Sequence, residues 1–103
     1  MAQVADWSVY LIRCGDGSLY TGIATDVAQR LEQHRAADGK GAKYLRGRGP
    51  LSLSCECPVG ERGLALRIES RIKRMRRQDK ERLARGEKAL AEFVEAVRVA
   101  DDG

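Results

Sequence analysis

The stretch VYLIRCGDGSLYTG, residues 9–22, decides the fold. Val9, Tyr10, Leu11 and Ile12 belong to a run rich in β-branched and aromatic residues, and so do Leu19 to Ile23. Gly15-Asp16-Gly17 lies between the two runs, which predicts a β-hairpin. The first run is apolar on both faces, as a central strand covered on both sides would be. Two registers fit. With Asp16-Gly17 as a two-residue turn, Tyr10 faces Ile23 and the two tyrosines, Tyr10 and Tyr20, point to opposite faces. With a three-residue loop and one left-handed glycine, Tyr10 and Tyr20 share a face as diagonal neighbours. Periodicity does not choose between them.

Downstream, TDVAQRLEQHRAA reads as a helix. Thr25 or Asp26 is its N-cap, and Gln29 follows Asp26 at capping-box spacing. Val27 and Leu31 form its apolar seam, and Arg30 and His34 are neighbours one turn apart. DGKGAKYLRGRGP, with four glycines and a proline, reads as a loop. LSLSCECPV alternates and predicts a third strand ended by Pro58. ERGLALRIESRIKRMRRQ predicts one helix with Leu64, Ile68, Ile72 and Met75 as its core stripe, and DKERLARGE a short helix ended by Gly86. EKALAEFVEAVRVA is amphipathic, with Leu90, Phe93, Val94 and Val97 on one side. That stripe fits a helix completing the core, or an adaptor surface. The order β-β-α-β-α-α predicts an α+β class with a small three-stranded antiparallel sheet flanked by helices.

A chain of 103 residues with 43% apolar residues predicts one globular domain. No apolar run is long enough to span a bilayer, and MAQVADWS lacks a basic n-region, so the reading is a cytoplasmic protein without a membrane role. Cys14, Cys55 and Cys57 are odd in number and lack zinc spacing, which predicts reduced thiols on strands. The net charge of +4 is unevenly spread. Arg35, Lys40, Lys43, Arg46 and Arg48 form one basic block; Arg67 to Arg85 holds nine basic residues and three acids. Two such blocks suit a polyanion, although a solvated helix face carries similar charge.

The polar groups able to act are Tyr10, Tyr20, Arg30, His34, Tyr44, Arg46 and Glu69. Each has an ordinary role as well: hairpin packing for the tyrosines, helix-end charge for His34, and an ion pair with Lys73 for Glu69. Taken together they resemble the GIY-YIG nuclease superfamily, in particular its small stand-alone bacterial members. The resemblance rests on SVY and YTG with their tyrosines ten residues apart, Arg30 ten residues further, His34, and IESRIK downstream; it runs from about Trp7 to about Leu83. The tail from Glu87 lies outside it, and the reading is a domain over residues 1–86 with a helical extension, 87–103, packed on the same domain.

What the resemblance implies about chemistry is hydrolysis of phosphodiester bonds in single-stranded or branched DNA. Tyr20 would be the general base, Arg30 the stabiliser of phosphorane charge, and Glu69 the protein ligand of one Mg²⁺ or Mn²⁺. Tyr10 and His34 would position the nucleophile or phosphate, which favours the shared-face register. Lys40, Lys43, Tyr44, Arg46, Arg48 and Lys73 would contact nucleic acid. This chain departs from the pattern in four places: Ser8 stands for glycine, Ile23 for a basic residue, His34 for a tyrosine of nucleotide-excision-repair relatives, and the chain has no asparagine. The competing reading is a nucleic-acid-binding module without catalysis, in which the basic loop and helix hold phosphates and Tyr44 stacks on a base.

Overall fold

In a computed structural model, residues 6–36, 45 and 47–102 are described. Lys40, Lys43, Tyr44 and Arg46, expected to contact nucleic acid, lie outside them. The elements are β1 (Trp7–Arg13), β2 (Leu19–Ala24), α1 (Val27–Arg35), β3 (Ser52–Gly60), α2 (Arg62–Lys73), α3 (Arg77–Ala84) and α4 (Glu87–Asp102). The sheet is antiparallel in the order β2-β1-β3, so the run that is apolar on both faces is the central strand.

The hairpin closes on a three-residue loop. Cys14 N donates to Ser18 O at 2.9 Å and Gly17 N to Cys14 O at 2.9 Å, with Gly17 at φ +88°. That left-handed position suits glycine, and Asp16 caps the loop by accepting from Ser18 N at 3.0 Å. The register follows: Tyr10 pairs with Gly22 and Ile12 with Tyr20. The two tyrosines therefore share a face.

β1 divides two cores. Val9 and Leu11 face a cluster with Leu64, Ala65, Ile68 and Ile72 of α2, Leu83 of α3 and Leu90, Val94 and Val97 of α4. Tyr10, Ile12 and Cys14 face a second cluster with Val27 and Leu31 of α1, and with Leu45 and Leu51. The Leu90–Val97 stripe is thus part of the first core, and Phe93 packs half-buried against it.

Two boundaries differ from the sequence reading. β3 continues through Pro58 to Gly60, because β3 is an edge strand and a missing N–H is tolerated there. The two helices expected in the basic run meet earlier than expected, since α2 stops at Lys73 and α3 begins at Arg77. Ile72 is fully buried and Met75 only partly, so the apolar stripe fades where the chain turns. Arg13, at the end of β1, makes a bidentate ion pair with Glu81 of α3, and this pair holds the Glu81 carboxyl below the usual carboxylate range. Among the described residues no helix is long and apolar enough to cross a membrane.

Candidate active site

The site begins with a glycine. Gly22 lies opposite Tyr10, and a Cβ built on it would sit 2.5 Å from the Tyr10 hydroxyl oxygen and 3.1 Å from Tyr20 Cε2. The Tyr10 ring therefore lies across β2 in space that only glycine leaves open. Tyr10 is 1% exposed and cannot swing clear cheaply. Gly22→Ala should lower stability by about 1–3 kcal/mol, as overpacking of a tight core does. Thermal unfolding checks this, and an unchanged midpoint would mean that Tyr10 does not occupy that space.

α1 closes the same face. Asp26 starts it by accepting from Gln29 N at 3.0 Å. Burial of Val27 and Leu31 turns His34 inward, and His34 Nε2 hydrogen-bonds the Tyr10 hydroxyl at 3.0 Å. Tyr20 meets the His34 ring edge-on at a centroid distance of 5.5 Å and the Tyr10 ring at 6.4 Å. Arg30, one turn before His34, donates to Gln33 Oε1 at 2.9 Å and is near enough to hydrogen-bond Tyr10. Glu69 comes from α2, which packs along β2 as well as β1. Its side chain is 18% exposed and lies 3.6 Å from Lys73 Nζ.

The electrostatics tie these groups together. Burial pushes Tyr10 up to about 12, helped by Tyr20 and opposed by Arg30. Burial also raises Tyr20, the Glu69 charge adds to the rise, and Arg30 opposes it. Burial and the Arg30 charge both hold His34 below its ordinary value, so the imidazole is neutral at pH 7. Glu69 raises both phenols and Arg30 lowers both, which places all five expected catalytic residues within electrical reach of one pocket.

The expected nucleic-acid contacts are less gathered. Arg48 pairs with Asp16 of the hairpin loop at 2.6 Å, and Lys73 faces Glu69. Sequence reasoning missed two neighbours of the pocket. Gln33 holds Arg30, which its three-residue spacing signals. Glu56 of β3 lies directly opposite Tyr10 of β1, which required the β3 register.

Among the described residues no three His, Cys, Asp or Glu side chains cluster as a metal cage. The three cysteines are free and buried, and burial raises the Cys55 and Cys57 thiols, so they suit packing rather than ligation. A single carboxylate such as Glu69 would suit a hard cation that draws its remaining ligands from water and substrate phosphate, as Mg²⁺ does.

Residues 6–82 match the GIY-YIG catalytic domain family. The UPF0213 protein YhbQ of Escherichia fergusonii is 47% identical over 95 residues, covering 92% of this chain and 93% of that one. A UPF0213 protein of Citrobacter koseri is 60% identical over 77 residues, 75% of each chain. The solution NMR structure of the UPF0213 protein BH0048 from Bacillus halodurans is 45% identical, covers 76% of this chain and 81% of its own, and superposes with a TM-score of 0.49. Tyrosines at motif spacing on one face, and a family match spanning every strand, the first two helices and most of the third, make this chain a member of the GIY-YIG family of nuclease-type domains.

Proposed function

We propose that the protein is an endonuclease that hydrolyses phosphodiester bonds in single-stranded or branched DNA with one Mg²⁺ or Mn²⁺ held on Glu69. The observation that supports it is the cluster of Tyr10, Tyr20 and His34 on one face, with the charges of Arg30 from α1 and Glu69 from α2 acting on both phenols. Tyr20 orients a water and takes its proton. Arg30 presents a planar guanidinium to the phosphate oxygens, where negative charge grows. Tyr10, fixed by its bond to His34, holds the nucleophile or the phosphate in line. A divalent ion on Glu69 would offset that carboxylate's upward push on Tyr20 and add positive charge beside the scissile phosphate. Residues 1–86 carry this chemistry, 87–103 brace it, and the compartment is the cytoplasm.

Because Tyr20 sits above its ordinary value of 10.0, its deprotonated fraction grows with pH throughout the neutral range. Cleavage of end-labelled DNA should therefore rise about ten-fold per pH unit between roughly pH 7 and 9. Tyr20→Phe should lose both the activity and the slope. A variant that kept the wild-type rate and profile would remove Tyr20 from the base role. One observation favours a second reading, a binding module without cleavage: Lys73 already faces Glu69. That reading predicts metal-independent DNA binding that persists in Glu69→Ala, with no cuts on any DNA.

A further inference from the structure

Beyond the tyrosine pocket, the molecule has a second charged surface at the corner where α2 meets α3. α2 starts at the Trp7 end of the sheet, where the Arg62 guanidinium lies 5.3 Å from the Trp7 ring centroid. It runs toward the hairpin loop, and there Arg77 Nη2 donates to Gly17 O at 3.3 Å. Glu69 lies on the way. Lys73 follows one turn on, about 6 Å along the axis, Arg74 caps α2, and Arg77 and Lys80 lie in the first turns of α3.

The acids of this corner are engaged. Asp79 is shared by Arg76 at 3.9 Å and Arg82 at 3.7 Å, and Glu81 is clamped by Arg13. Among the described residues no ion pair offsets Arg71, Arg74 or Lys80, and Arg71 and Arg74 are exposed. A shallow groove lined by Ser18, Leu19, Arg77, Lys80 and Glu81 opens beside them. Residues 71–85 contain no aromatic side chain. Such a surface holds phosphates but cannot stack bases, so it lacks the platform that single strands use. Cations fixed at helix ends suit a backbone that presents phosphates at fixed spacing, as a duplex does.

We propose that this corner seats the sugar-phosphate backbone of a duplex arm next to the cut strand, so that the preferred DNA is branched rather than plainly single-stranded. The proposal rests on the nuclease reading and specifies its substrate. Its test is fluorescence anisotropy in EDTA, with one labelled strand used alone or annealed to form a duplex arm, from about 50 to 200 mM salt. In Arg74→Gln/Lys80→Gln, the slope of log affinity against log salt on the duplex-armed DNA should flatten by about 2, since each phosphate contact contributes about 0.9. Affinity for the single strand should hardly move. An unchanged slope on the duplex-armed DNA overturns the proposal, and so does an equal loss on both DNAs. Arg77→Gln is a third measurement with a thermal midpoint beside it, because Arg77 also braces the hairpin loop. Wild-type protein with Mg²⁺ or Mn²⁺ that cuts neither DNA would sink the nuclease reading while leaving the binding comparison intact.

Discussion

Glu69→Ala should reduce metal-dependent cleavage by about 10²–10³-fold or more, the scale seen when one preorganised charge-stabilising group is removed. Glu69 is the carboxylate whose charge raises both phenols, and its side chain is only 18% exposed on α2. The fold should tolerate the change. The ion pair it forms with Lys73 joins a side chain that is 52% exposed, and such one-turn pairs contribute only about 0.3–0.5 kcal/mol. A second readout needs no substrate. Since Glu69 pushes Tyr10 and Tyr20 upward, its removal should lower the pH at which these phenols ionise, followed by ultraviolet difference absorption in the alkaline range. Wild-type cleavage by a folded Glu69→Ala protein would move the metal away from this residue. An unmoved phenol titration would separate Glu69 from the tyrosine pocket altogether.

Removing residues 87–103 should leave a chain that does not fold cooperatively. Leu90 is fully buried, Val94 and Val97 are each 2% exposed, and all three sit in the core cluster beneath the central strand. Each such side chain stabilises the fold by about 1.5–3 kcal/mol. Together that is about 5–9 kcal/mol, comparable with the whole stability of a domain of this size, about 5–15 kcal/mol. The deletion would also strip the cover from Cys55, Cys57 and Val59 on β3, an edge strand, and free the Val59 carbonyl from Arg98. Circular dichroism on heating should show no sharp transition for the truncated chain. The milder Leu90→Ala should lower stability by about 2–5 kcal/mol while keeping a cooperative unfolding curve. A truncated chain with an unchanged midpoint would make α4 an independent appendage.

Much of this architecture was legible because it is written locally. A glycine-aspartate-glycine loop between apolar runs makes a hairpin, an Asp26–Gln29 cap starts α1, and a run apolar on both faces becomes the middle strand. What was not legible depends on geometry beyond one element. The hairpin register turned on whether one glycine adopts a left-handed conformation, a choice that slides Tyr10 between two faces without altering any composition. Two helices were expected in the basic run, but the break falls several residues earlier than expected, because no glycine or proline marks it and it lies where the apolar stripe runs out. For the site, the motif spacing pointed to Tyr10, Tyr20, Arg30, His34 and Glu69. The bond between Tyr10 and His34 joins residues 24 apart, and the Glu56–Tyr10 pairing needs the third strand's bulged register. Neither leaves a periodic trace.

The space that Gly22 leaves for Tyr10 has a consequence for how such a chain can drift. Position 22 is constrained chiefly by the bulk of position 10, with Tyr20 as a second close neighbour, and not by its own backbone, so a change in one motif is felt in the other. A chain that kept Tyr10 but replaced Ser8 would still need a glycine at 22. A chain that lost the ring at 10 would release 22 to carry a small side chain, and the pair should show compensating rather than additive effects when both are changed. The ring at position 10, rather than the residue at position 8, is therefore what holds position 22 to glycine.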